Sequence, residues 1–196
     1  MWASLLAAVI MTAFSLTACS DDDNPTEEFP NWKATNERAF AAVYATATSQ
    51  EGSENAVWKR FNVYSKDASS GLAPEDYVVI REITKGKDSG SPLFTDTVSI
   101  HYRGRLLPST TYTEGYVFDS SWEGDYDLPA MKPFSSLAVS QYVDGMATAL
   151  QHMKIGDRWE IYIPYQLGYG SSGTMTSTIP PYSMLIFVFT LVGYHR

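Results

Sequence analysis

The sequence predicts an α+β fold: an antiparallel sheet wrapped on one short helix, with a helical extension ahead of it. Three observations carry that prediction. Alternating apolar residues mark several short strands beyond residue 57, a single short segment among them has helical spacing, and a longer amphipathic stretch precedes them all. With 196 residues, 44% of them apolar and 14% aromatic, the chain has material for one packed core plus extensions. No internal repeat is visible.

The extension is read over Asn31 to about Glu51. Trp32, Phe40, Val43, Tyr44 and Ala47 recur at helical spacing, while Arg38, Thr46 and Gln50 fill the other side. Asn31 is placed to cap the helix and Gly52 to stop it. A helix this short needs a surface to dock on. Its own domain and a second copy of the chain both stay open, the second giving a homodimer through this helix.

The strands follow. Tyr77–Thr84 is β-branched and aromatic and leads into a loop from Lys85 to Pro92. Thr97–Arg103 alternates, with Val98, Ile100 and Tyr102 pointing one way and Ser99, His101 and Arg103 the other. Val143, Met146, Ala147 and Leu150 have the spacing of one short helix, with Asp144 near its start. Trp159, Ile161 and Ile163 form a second alternating strand and Leu185, Phe187 and Phe189 a third.

The first eighteen residues read as an address. They carry no charged side chain, and the stretch from Trp2 to Phe14 is mostly apolar and small, too short for a permanent span but suited to a secretory signal. It ends in Leu16-Thr17-Ala18-Cys19, which resembles the lipobox of bacterial lipoproteins, with the only cysteine of the chain on the modified position. That resemblance implies lipidation of Cys19 and a membrane anchor, since each buried methylene contributes about 0.8 kcal/mol. An ordinary signal peptide with a free cysteine is the plainer reading. The lack of Lys or Arg before the apolar run departs from the lipoprotein pattern. Ser20-Asp21-Asp22-Asp23-Asn24-Pro25 then changes the composition abruptly to that of an acidic tether. The expected organisation is a signal over 1–18, a tether over 19–30, a helical extension with a connecting strand over 31–76, and the main domain over 77–196. The cell envelope, with sorting to the outer membrane, is the implied location.

Composition also excludes. A formal net charge of −8 argues against a sequence-independent nucleic-acid binder, which needs a basic face. One cysteine and three histidines rule out a disulfide framework and a cysteine-based zinc site and leave little for a histidine-rich metal centre. No Gly-rich phosphate loop appears, and His152 and His195 lack partners for a nucleophilic triad. Asp125 and Asp127 lie in a Gly/Pro-rich loop and read as solvated. What stands out is aromatic content beside turns: Tyr102, Phe118, Tyr169 and Phe187, with Pro180-Pro181 before the last strand. Concave apolar sites of that kind bind small or peptide ligands without a nucleophile.

Val98–Gly104, Val117-Phe-Asp-Ser-Ser121, Gly156-Asp-Arg158, Gly168-Tyr-Gly170 and Ile179–Phe187 together resemble the signature of FKBP-type peptidyl-prolyl cis-trans isomerases, in the same order, from Tyr77 to the C-terminus. The resemblance implies a twisted antiparallel half-barrel around one short helix, with a proline pocket between them. It implies that Tyr102 and Phe187 form part of the pocket and Phe118 its base. Asp119 would be a carboxylate buried at the edge, and the Tyr169 hydroxyl would bind a peptide carbonyl. Val143 would offer its N–H to a second carbonyl, Ile179 would line the rim, Met146 the floor, and Tyr142 would adjoin them. Proline-containing polypeptides are the implied partners, with no cofactor or metal required. Taken alone, the strand residues could be simple core and Asp119 a turn residue.

This chain departs from the family pattern at several points. Met146 stands where most members carry a tryptophan, and Tyr142 replaces an aliphatic residue. The aromatic expected early in the strand before the short helix is Phe134 or is lost to Ser135, depending on where a gap falls. The segment between Gly104 and Phe118 is long, and the overhanging loop Ser171–Thr178 is polar. These features leave a low-activity or inactive proline-peptide binding module as the alternative to a working isomerase.

Overall fold

A computed structural model describes residues 27–87, 90–176 and 178–196, and of Ser135 and Ser136 the backbone alone. Cys19, the signal over 1–18 and most of the tether lie outside the described residues. Among the described residues, two α-helices, α1 (Trp32–Ser49) and α2 (Asp144–Leu150), accompany seven strands. These are β1 (Trp58–Asn62), β2 (Tyr77–Thr84), β3 (Thr97–Arg105), β4 (Val117–Ser120), β5 (Phe134–Ala138), β6 (Arg158–Ile163) and β7 (Leu185–His195). They form one antiparallel sheet in the order β1-β2-β6-β7-β3-β4, with β5 also paired to β3. The architecture is the α+β fold expected.

The two faces of the sheet explain the sequence of β2. Val78 and Ile80 point into the main core with Leu150, Ile161 and Phe189, while Val79 points to the opposite face and meets α1. All three are fully buried, as a strand covered on both sides requires. Phe40 and Ala47 of α1 lie with Val79, Met184 and Ile186, so the helix docks on its own sheet. β1 pairs with β2 along its whole length, which brings the strand of the 31–76 segment into the same sheet.

The start of α1 differs from expectation. An N-cap side chain reaches the first-turn N–H groups from extended backbone, but Asn31 sits at φ 50° and its side chain makes no capping bond. Only its carbonyl serves, accepting the Thr35 N–H at 3.0 Å. The helix ends at Ser49 with Gln50 as cap, and Gly52, at φ 80°, turns the chain beyond it. The last tether residues are also fastened. The Glu28 carboxylate accepts the Thr111 N–H at 3.1 Å and the hydroxyls of Ser109 and Thr111, and Phe29 lies 4.7 Å from the Trp32 ring. The two hydroxyls, Ser109 first, pull the Glu28 carboxyl below its usual range. The long β3–β4 connection is therefore where the incoming chain is attached.

Candidate functional site

β3 changes partners midway. It pairs with β5 through Ile100 and with β4 from Arg103 onward, leaving Tyr102 at the split. Ser121 fills the gap: its hydroxyl accepts the Tyr102 N–H at 3.0 Å, and its N–H donates to the Tyr102 carbonyl at 2.8 Å. The backbone of Tyr102 is thereby satisfied while its ring enters a cleft of about 610 Å³ between α2 and the sheet.

Aromatic rings build the cleft wall. Tyr102 stacks on Phe189 at 5.7 Å and meets Phe134 edge-on at 6.0 Å. Phe118 and Phe187 cross edge-to-face at 5.4 Å. Gly104 makes that crossing possible, because a Cβ there would lie 2.5 Å from Phe187 and 2.6 Å from Phe118. At the cleft floor, Met146 of α2 is buried, and Gly145 lets the first turn of α2 press against Ile163 of β6. Val143, Tyr142 and Ile179 complete the lining. All nine residues named from the sequence for catalysis and peptide binding border this one cleft.

Polar groups share the lining with the rings. The Tyr102 hydroxyl donates to Asp119 Oδ2 at 2.8 Å. Asp119 is exposed rather than buried at the edge: it lies on β4, the terminal strand of the sheet, where the register with β3 shifts, and both Phe118 and Asp119 border the cleft. Tyr169 is 40% exposed at the mouth, carried past the turn Tyr165–Leu167. Among the described residues its hydroxyl has no hydrogen-bond partner. Val143 precedes α2, and its carbonyl accepts the Ala147 N–H at 3.0 Å; its own N–H has no acceptor among the described residues.

Burial governs the phenols. It raises Tyr102 well above its usual pKa of 10, with Asp119 adding to the effect, and it pushes Tyr142 up to about 12. Tyr169 is raised by burial and by the Asp119 charge. All three hydroxyls therefore stay protonated near neutrality, and that of Tyr102 donates to Asp119. The Tyr142 hydroxyl is buried without a partner among the described residues.

The ambiguity over the β5 aromatic resolves to Phe134. Val98 pairs with Leu137 and Ile100 with Phe134, so one extra residue is accommodated in β5 between them. Leu137 and Gln141 also line the cleft, a role that no motif position signalled. Thr174, Thr176 and Thr178 form the polar overhang, with Thr176 and Thr178 hydroxyls 3.0 Å apart and Thr174 Oγ1 accepting the Ile179 N–H at 3.1 Å. His101 lies outside, buried on the opposite side of β3 with Tyr126 edge-on to its ring at 6.4 Å; burial lowers its pKa. Chemically, the cleft can hold an apolar ring against aromatic walls while two donors at its mouth grip carbonyl oxygens.

Comparison with known proteins gives the same reading. The family model for FKBP-type peptidyl-prolyl cis-trans isomerases matches residues 90–192. Peptidyl-prolyl cis-trans isomerase Mip of Coxiella burnetii is 39% identical over 106 residues, covering 54% of this chain and 40% of that protein. Outer membrane protein MIP of Legionella longbeachae is 36% identical over 102 residues, covering 52% of this chain and 38% of that one. The chain thus spans about half the length, or less, of such curated relatives. The crystal structure of a peptidyl-prolyl isomerase from Pseudomonas syringae superposes with a TM-score of 0.56 at 21% identity, over 84% of this chain and 96% of that one, and so shares the fold.

Proposed function

This chain belongs to the FKBP-type peptidyl-prolyl cis-trans isomerase family, and on that premise we propose that its aromatic cleft turns X-Pro peptide bonds of exported polypeptides without covalent chemistry. The observation that carries the reading is the joining of Tyr102, Phe118, Phe134 and Phe187 into one apolar wall of a cleft also lined by Tyr169 and Val143, whose Oη and N–H have no partner among the described residues.

The barrier to rotation is about 18–20 kcal/mol because the nitrogen lone pair is delocalised into the carbonyl. Twisting the bond localises that pair and makes the amide less polar. A cleft walled by rings solvates the planar amide poorly, so it disfavours the ground state more than the twisted one. Tyr169 and Val143 hold flanking carbonyls while the bond turns. Asp119 fixes the Tyr102 hydroxyl, and with it the ring, by their 2.8 Å hydrogen bond.

A protease-coupled assay on an X-Pro peptide tests this. Phe118→Ala and Asp119→Leu should each lower the rate about tenfold or more, roughly 1.4 kcal/mol of barrier each. Unchanged rates in both would overturn the assignment of the cleft. A second reading, a binding module with little turnover, is supported by Met146 on the floor and by the threonine overhang. A rate equal to the protein-free control with peptide binding retained would favour it.

The envelope location and the Cys19 lipid anchor belong to the same proposal. Their support is the lipobox-like sequence, together with a relative named as an outer membrane protein. A homodimer through α1 would have to use its outward side, since Phe40 and Ala47 are already covered by the sheet.

A further inference from the structure

Two hydrogen-bond routes join the first turns of α1 to the segment that carries Ile179. The Trp32 Nε1–H donates to Ser183 Oγ at 2.8 Å, and that hydroxyl donates to the Pro180 carbonyl at 2.7 Å. Asn36 Nδ2 donates to the Trp32 carbonyl at 2.7 Å, while its Oδ1 accepts the Met184 N–H at 2.8 Å. Trp32, Asn36, Ser183 and Met184 are all buried, so none of these groups has water as a substitute.

Between them, Tyr182 is held at φ 62°. A bulky aromatic keeps that left-handed conformation only where its surroundings over-determine it. The Lys33 ammonium lies 5.1 Å from its ring centroid, Tyr165 meets it edge-on at 5.2 Å, and the Gly170 carbonyl accepts its N–H at 3.0 Å. Lys33 belongs to α1, and Gly170 directly follows Tyr169. The same end of α1 therefore borders both loops that bring Ile179 and Tyr169 to the cleft.

We propose that this end of α1 is a positioning device for the cleft, with Trp32, Asn36 and Ser183 as positioning residues that never touch the peptide. The inference rests on the isomerase reading. Loops left unanchored must be ordered when a peptide binds, and that entropy is charged to affinity. With the anchor in place, Ile179 and Tyr169 stand ready before the peptide arrives.

The test is steady-state isomerisation of an X-Pro peptide by the protein and its variants Trp32→Phe and Ser183→Ala. The first keeps an aromatic ring in the core while removing the donor together with part of the indole's volume, and the second removes the acceptor without touching the ring. Each variant should raise KM about fivefold and leave kcat within about twofold of the parent. The double variant should be no worse than the poorer single one, because both cut the same relay. An unchanged KM in the single variants, or a double variant that multiplies the two effects, would overturn the proposal. A parent rate equal to the protein-free control would instead overturn the isomerase reading. The affinity of the same variants for the peptide then decides the positioning role: weakening supports it and equality with the parent overturns it.

Discussion

At the level of single residues, Gly104 shows how little room the cleft wall leaves. Phe118 and Phe187 cross within van der Waals reach of its α-carbon, and a methyl there would lie 2.5–2.6 Å from both rings. Gly104→Ala should force the rings apart, cost about 1–3 kcal/mol in denaturant unfolding, and lower the isomerisation rate in the same preparation. A variant with parental stability and rate would show that the crossing is not needed. Gly104 and the rings around it were legible in the sequence because each falls within a motif block. Asn36 was not, since a lone polar residue on a helix reads as solvent-facing, yet it is 1% exposed and bonds the Met184 backbone. The exposure of Asp119 escaped notice for a related reason: motif position says which residue is present, but the edge position of β4 decides what covers it.

At the level of elements, α1 gains its stability from the sheet beneath it. It has no basic residue in its last turn, no acidic residue in its first, and no side-chain cap. Phe40, buried among Val79, Met184 and Ile186, is its main attachment on that face. Phe40→Ala should cost about 3–5 kcal/mol in equilibrium unfolding. A loss below about 1 kcal/mol would mean that the helix is held chiefly by its polar bonds to Ser183 and Met184. The helix was visible from its 3.6-residue period, whereas its docking partner was not, because periodicity identifies an apolar stripe without saying what covers it. The placement of β5 was out of reach for another reason. Its one extra residue opposite Val98 and Ile100 is a feature of pairing, and pairing between strands distant in sequence leaves no local mark.

For the molecule as a whole, the order of strands, short helix and strands was enough to predict an α+β fold, and the aromatic positions in β3, β4 and β7 converge as the motif order implied. The envelope reading belongs to this scale too, because it concerns where the entire domain is held. Cys19→Ser should release the protein from the membrane fraction into the soluble one, and unaltered fractionation would rule out the lipid anchor.

The Glu28 attachment has a mechanical consequence. Among the described residues, a pull entering from the N-terminal side is borne first by the bonds from that carboxylate to Ser109 and Thr111, on the connection leading into β4. The load reaches Trp32 and the helix only after those bonds give way, so an anchor upstream of them, if the lipid reading holds, would leave the cleft rim shielded from tugging.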